Sequence, residues 1–161
     1  MPRVSKRIIG IDPGTARVGW GIIDYNGVSE AAIAYGCIET ASGTDSEKRL
    51  QLIRDELVDI LAKWQPNTAV IERLFFTKNQ KTAMAVSEAR GVILLTLADQ
   101  SIPYIERTPL QVKQSIAGSG KADKKDIQRM VTLLLKLEKI PQPDDAADGL
   151  ALALCGTTGQ E

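Results

Sequence analysis

The chain has 161 residues, of which 43% are apolar and 25% are charged, and its formal net charge is zero. This length predicts a single domain over residues 1–158 with a short tail at 159–161. No apolar run approaches the roughly 20 residues of a membrane span, and the basic N-terminus lacks the apolar stretch of a signal peptide. We therefore expect a cytoplasmic protein, in which the distant Cys37 and Cys155 remain free thiols.

The chain contains no histidine. This absence excludes His-based catalytic triads, zinc sites built on histidine, and the commonest general base near neutral pH. Any hydrolytic chemistry must therefore use carboxylates, lysine or a metal-bound water.

Charge is unevenly distributed along the chain, although its sum argues against a strongly basic nucleic-acid-binding protein. The segment 107–129 contains six basic and two acidic residues, and 73–90 contains four basic and one acidic. Between residues 44 and 59 the acidic residues outnumber the basic ones, five to three. The two basic segments together predict one positive face.

The first predicted strand is the apolar run 8–11, which ends at Asp12 before a Pro13-Gly14 turn. Residues 18–23 predict a second strand that pairs with the first. A carboxylate on a buried strand is unfavourable unless a cation or a full set of hydrogen bonds compensates it. Asp12 therefore requires a partner from elsewhere in the chain.

Asn26-Gly27 is typical of a hairpin turn, and a third strand is expected over residues 28–40, with a bulge at Gly36. Thr44, with Glu47 three residues later, predicts a capping box at the start of a helix. Apolar residues recur in that helix every three or four positions, which predicts one face packed on the sheet: Leu50, Ile53, Leu57, Ile60, Leu61 and Trp64.

The next strand, over residues 68–73, repeats the pattern of the first, because an apolar run leads into the single carboxylate of Glu72. The mostly apolar helix that follows, at about 81–100, either only covers the sheet or also meets a second subunit. A short strand is expected at 103–106. Three antiparallel strands followed by a helix and further strands predict an α/β fold with a mixed sheet.

The last third of the chain predicts a brief helix from 108 through 113, a helix opened by Asp123, and a final helix over 144–154. Asp145 and Asp148 lie three residues apart and share a face of that final helix. Acidic residues in a first turn often only cap the helix and complement its dipole, which is the expected role of Asp144. For Asp145 and Asp148 considered alone, both interpretations remain open.

The combination of Asp12, Glu72, Asp145 and Asp148 indicates a metal site. Carboxylates that converge without histidine are the ligands expected for hard cations such as Mg²⁺. Two such ions activate a water and stabilise the leaving oxygen in phosphodiester cleavage. The basic segments would then hold a phosphate backbone, with Lys113 reaching the scissile phosphate as a point charge.

Five motifs, in chain order, resemble the RuvC family of Holliday-junction resolvases. They are IIGIDPGTARVGWG around Asp12, AVIERLFFTKN around Glu72, SEARGV at 87–92, QVKQSIAGSGKADK at 111–124 and DAADGLALAL at 145–154. The resemblance covers nearly the whole chain. It implies an RNase H-like fold, with a mixed five-stranded sheet flanked by helices. It also implies a homodimeric endonuclease of recombination and repair that nicks two strands of a four-way junction symmetrically, leaving 5'-phosphate ends.

The resemblance also implies roles for particular residues. The catalytic carboxylates that bind two Mg²⁺ ions, or Mn²⁺ in their place, correspond to Asp12, Glu72, Asp145 and Asp148. The adjacent Asp144 leaves the register of the last pair open by one residue. Lys113 corresponds to a lysine near the reacting phosphate. The other expected DNA contacts are Phe75, Phe76, Lys78, Lys81, Lys121, Lys124 and Lys125. A branch-migration helicase complex of the RuvA and RuvB type is an expected partner.

Three other functions compete with this interpretation. The motif GIDPGT before a hairpin also resembles YqgF-like nucleases of ribosomal RNA processing, but QVKQ and DAADGLALAL favour the resolvase. A sugar-kinase or actin-like ATPase carries a similar Asp-x-Gly-Thr phosphate motif, yet it needs a second domain that this length does not provide. A non-catalytic junction-binding protein would more readily have lost one of the carboxylates.

Overall fold

The computed structural model describes residues 5–74 and 79–158. Within them the chain forms five strands and five helices. The strands are β1 (Lys6–Asp12), β2 (Arg17–Tyr25), β3 (Glu30–Glu39), β4 (Thr68–Glu72) and β5 (Tyr104–Arg107). The helices are α1 (Ser46–Trp64), α2 (Gln80–Asp99), α3 (Pro109–Ala117), α4 (Lys124–Leu134) and α5 (Asp144–Cys155).

The strands form one mixed sheet in the order β3-β2-β1-β4-β5. β1, β2 and β3 pair antiparallel, whereas β4 pairs parallel to β1 and β5 parallel to β4. This arrangement confirms the predicted mixed five-stranded sheet. β1 lies at its centre, which explains the continuous apolar run 8–11: both faces of that strand are covered.

Helices cover both faces of the sheet. On one face, Ile9, Ile11 and Ile22 pack against apolar residues of α1 and α2. On the other, Ile8 and Ile23 pack against α3, α4 and α5. This alternation along β1 and β2 follows from the two-residue period of a strand. In the part of the chain that the structure describes, no helix has both the length and the apolar character that crossing a bilayer requires.

Helix α5 lies directly on the backbone of β1 and β2. A Cβ atom at Gly19 would meet the backbone carbonyl oxygen of Asp145, and one at Gly149 would meet the backbone of Trp20. Glycine is therefore needed at both positions, because any side chain would push the helix away from the sheet. This close packing fixes the N-terminal turns of α5 over the end of β1.

Two local predictions were wrong. Helix α1 begins at Ser46 with Asp45 as the N-cap, and the Thr44 hydroxyl donates a 2.7 Å hydrogen bond to the carbonyl of Ala41 instead of forming a capping box. The irregularity in the β2–β3 ladder falls between Ile22 and Ile23, not at Gly36. Gly36 faces the Trp20 ring, where a Cβ atom would lie 3.0 Å from Cζ2. Room for the indole, rather than a bulge, explains that glycine.

Capping boxes instead occur at the starts of α3 and α4. At the first, the side chains of Thr108 and Gln111 each accept a hydrogen bond from the backbone N–H of the other residue. Asp123 and Asp126 do the same at the second. The predicted start of α4 at Asp123 is thus confirmed. Helix α3 continues past Lys113 to Ala117, where Gly118 ends it in a left-handed conformation with φ +70°.

Candidate active site

Two carboxylates lie side by side at one edge of the sheet. β1 and β4 run parallel with Ile11 opposite Ile71, so the next residues along the strands, Asp12 and Glu72, are neighbours. Both strands end there, since Pro13 turns the chain after β1 and the β4 ladder stops at Glu72. The expectation that the two acidic strand ends meet is confirmed.

Helix α5 brings two further carboxylates to the same place. Oxygen atoms of Asp12, Asp145 and Asp148 all lie within 4.8 Å of one another. Asp145 and Asp148 share one face of the helix because they are three residues apart. Asp144 is exposed and pairs with Lys124 instead, so the geometry favours Asp145 over Asp144 as a member of the group.

Three of the carboxylates, Asp12, Glu72 and Asp148, line a cavity of about 280 Å³ together with two lysines. Its polar lining consists of Asp12, Glu72, Lys113, Lys124 and Asp148. Its apolar wall comes from α3, α4 and α5: Pro109, Val112, Ile127, Ala151 and Leu152. Residues from five elements, β1, β4, α3, α4 and α5, therefore form one cleft that contains both acidic and basic groups.

Burial and mutual repulsion raise the proton affinity of this group. Burial is the largest cause that raises the pKa of Asp12 well above its usual range, and the nearby charges of Glu72 and Asp145 raise this pKa further. Burial, followed by the charge of Asp12, raises the pKa of Asp148 to about 6. Lys124 opposes both shifts. Carboxylates under such repulsion are stabilised by a cation.

The donor set fits a hard divalent metal ion. All its members are carboxylate oxygens, which suit Mg²⁺ and Mn²⁺, and the chain has no histidine to favour a softer metal. The spacing of Asp12, Asp145 and Asp148 allows one ion to contact oxygens from all three. Glu72, next to Asp12, extends the acidic surface on the β4 side.

Two basic side chains contact the aspartates of α5. Lys124 Nζ lies 3.6 Å from Asp144 Oδ2 and 3.8 Å from Asp148 Oδ2. Arg17 Nη1 lies 3.6 Å from Asp145 Oδ2. Arg17 was not expected at the site, because the segment after Pro13-Gly14 predicts only a turn and a strand. Its place at the start of β2, close behind Asp12, was the available signal.

The other predicted DNA contacts are distributed unevenly. Lys113 is half-buried and lines the carboxylate cavity, as does the more exposed Lys124. Lys121 lines a separate cavity between α3 and α4. Lys81 on α2 and Lys125 on α4 are exposed and do not line the carboxylate cavity. Phe75, Phe76 and Lys78 lie outside the described residues.

Comparison with known proteins gives one consistent family. The family model described as "Crossover junction endodeoxyribonuclease RuvC" matches residues 8–156. Proteins of the same name are 52% identical over 150 residues in Caldicellulosiruptor saccharolyticus and 50% identical over 148 residues in Moorella thermoacetica. These alignments cover 92% of this chain, and 90% and 89% of the respective relatives.

Solved structures agree with the sequence relatives. Thermus thermophilus RuvC in complex with a Holliday junction substrate superimposes with a TM-score of 0.88 at 29% identity, covering 93% of this chain and 92% of that one. A yeast mitochondrial Holliday junction resolvase has a TM-score of 0.66 at 12% identity, which supports the fold alone. The segment matched by the family model contains all four carboxylates of the cluster.

Proposed function

The chain belongs to the RuvC family of crossover junction endodeoxyribonucleases, and from this premise we propose that it resolves four-way DNA junctions by metal-dependent phosphodiester hydrolysis. The observation that carries the proposal is the convergence of Asp12, Asp145 and Asp148 within 4.8 Å, next to Glu72 and Lys113. Acidic groups that would bind cations and a lysine that would bind phosphate thus share one cleft.

Asp12, Glu72, Asp145 and Asp148 would hold two Mg²⁺ ions, and Mn²⁺ would substitute because both prefer oxygen ligands. When bound, the metal supplies an activated water and neutralises charge on the phosphate. Asp12 is adjacent to Glu72 through the β1–β4 register and close to both aspartates of α5. It is therefore the carboxylate that neighbours each of the other three.

Lys113 and Lys124 would bind the DNA phosphate that enters the cleft. Lys113 projects from α3 beside the apolar residues Val112 and Ile127, which limit its contact with water. A lysine is a compact point charge, and partial exclusion of water strengthens its attraction for an anion. Hydrolysis of the bond to the 3' oxygen would leave a 5'-phosphate and a 3'-hydroxyl.

The described part of the chain carries one such cleft, whereas a four-way junction is resolved only when two strands are cut. We therefore propose that two copies of this chain act together as a homodimer, each nicking one of two strands of like polarity. A branch-migration complex of the RuvA and RuvB type would supply junctions to this dimer.

The test uses a synthetic four-way junction labelled on each strand in turn. With Mg²⁺, the protein should produce paired nicks at symmetric positions, and DNA ligase should reseal them because they carry 5'-phosphates. A linear duplex with the sequence of one arm is the substrate control. A folded protein that leaves the junction intact with both Mg²⁺ and Mn²⁺ would contradict the proposal, and cleavage of structured RNA instead would favour a ribosomal RNA nuclease.

A further inference from the structure

Arg17 connects the acidic cluster to a carboxylate outside it. At the start of β2, its side chain lies between two anions: Nη1 is 3.6 Å from Asp145 Oδ2, and Nε is 3.7 Å from Glu39 Oε1. Glu39 is the cross-strand partner of Arg17 in the β2–β3 ladder, so strand pairing fixes this contact. The guanidinium thus has one fixed neighbour at the sheet and one in the cluster.

The two carboxylates that Arg17 contacts have different surroundings. The Glu39 side chain is 60% exposed, so water already stabilises its charge. The Asp145 side chain is 27% exposed and lies within reach of Asp12 and Asp148, which repel it. The positive charge of Arg17 therefore matters more at Asp145, where other anions and partial burial disfavour an unpaired carboxylate.

Lys124, at the start of α4, has a similar arrangement. It contacts Asp148 of the cluster and is also held by a carboxylate outside the cluster, Asp144. Both α5 aspartates of the cluster are thus paired with a cation from another element. A divalent ion that binds Asp145 must compete with the charge that Arg17 already places there.

We propose that Arg17 is a built-in counter-ion of Asp145, which neutralises this carboxylate in the metal-free protein and competes with divalent metal for it. The inference rests on the metal site of the proposed function. Glu39 keeps the guanidinium close to the cluster when metal takes Asp145, so the counter-ion returns when metal leaves. Arg17 therefore weakens metal binding while it stabilises the metal-free fold.

The experiment is calorimetric titration of Mn²⁺ into the full chain at low salt, without DNA. Arg17→Gln should bind Mn²⁺ more tightly by about two- to fivefold, the range of a partly exposed ion pair. Arg17→Lys keeps the positive charge, so its affinity for Mn²⁺ should be closer to that of the unmodified protein. Arg54→Gln is the matched control, because Arg54 is equally exposed at 53% and pairs with Asp55 on α1.

Thermal unfolding gives a second readout that is independent of cleavage. The metal-free Arg17→Gln protein should melt at a lower temperature than the unmodified chain, and Mn²⁺ should raise its melting temperature by a larger increment. Weaker or unchanged Mn²⁺ binding by Arg17→Gln would overturn the inference and leave the nuclease function standing. Failure of the unmodified chain to bind Mn²⁺ would instead contradict the proposed function itself.

Discussion

Two aspartates at opposite ends of the β1–β2 hairpin have opposite surroundings. Asp24 faces Arg7, its cross-strand partner, which donates hydrogen bonds of 2.7 and 2.8 Å to its two carboxylate oxygens. The same guanidinium donates a 2.9 Å bond to the carbonyl of Trp64, at the end of α1. The hydrogen bond from Arg7 is the main cause that lowers the pKa of Asp24. Arg7, held by Asp24, therefore joins the hairpin to the neighbouring helix.

The neighbours of Asp12 are other carboxylates, whereas the neighbour of Asp24 is an arginine. Burial raises the pKa of Asp12, as does the nearby charge of Glu72, whereas the charge of Lys124 opposes these effects. The same residue type in the same hairpin thus stabilises the fold at one end and destabilises it at the other. Deeper burial together with like-charged neighbours therefore distinguishes the carboxylate that is suited to binding a cation from the structural one.

The largest expected difference between the two aspartates is in catalysis. Asp12→Asn should reduce junction cleavage by at least about a hundredfold with Mg²⁺, because it removes the charge of the carboxylate that neighbours the other three. Asp24→Asn should cleave at close to the unmodified rate, since its partners are Arg7 and the α1 end. The measurement is single-turnover cleavage at a temperature where both variants are folded. Comparable rates for the two variants would remove Asp12 from the catalytic group.

Stability without metal should show the opposite ranking. Asp24→Asn leaves the Arg7 guanidinium without its charged partner and should lower the free energy of unfolding by about 1–3 kcal/mol. Asp12→Asn removes a repelled charge and should raise the free energy of unfolding. Urea denaturation at pH 8 with EDTA measures both changes. A loss of stability in Asp12→Asn would show that its carboxylate is compensated in the metal-free protein.

The sequence was sufficient for features that depend on local pattern. The apolar run before Asp12, its repetition before Glu72 and the three-residue spacing of Asp145 and Asp148 predicted both the sheet and the convergence of acidic groups. The ion pair of Arg17 with Asp145 was not predictable in this way, because it depends on how closely α5 packs against β2. The wrong capping box has a different cause: Thr44 and Asp45 both suit an N-cap, so residue type alone does not select one.

The pH dependence of stability should also separate the two ends of the hairpin. The pKa of Asp148 rises to about 6 in the folded protein from an ordinary value of 3.8, so between these values the folded state binds more protons. Metal-free stability should therefore fall as pH rises from about 4 to 6 and then level off. Asp24, whose pKa is lowered, stabilises the fold above its ordinary value and loses this effect as pH falls.

Urea denaturation of the unmodified chain and of Asp148→Asn between pH 4.5 and 7.5, with EDTA, measures this effect. The free-energy difference between the two proteins should grow in favour of Asp148→Asn as pH rises towards about 6. Asp24→Asn is the control, because its effect should stay nearly constant over this range. A pH-independent difference for Asp148→Asn would show that neither burial nor the charge of its neighbours raises the pKa of Asp148.

The smallest expected effect is on the reactivity of Cys37, which lies on β3 and reports the charge of Asp145. The pKa of the Cys37 thiol is raised to about 11, mainly by burial and next by the charge of Asp145. Asp145→Asn should therefore lower this pKa and speed alkylation by iodoacetamide at pH 8 by about two- to threefold. Mass spectrometry distinguishes Cys37 from Cys155, whose thiol is buried.

Asp148→Asn is the matched control for this reporter, because Asp148 is in the same cluster but is not among the charges that shift the pKa of Cys37. Equal acceleration by Asp145→Asn and Asp148→Asn would indicate that loosening of α5, rather than the charge of Asp145, controls the thiol. A selective effect of Asp145→Asn would show that its carboxylate is ionised in the metal-free protein. Ionisation of Asp145 is the condition under which Arg17 acts as its counter-ion.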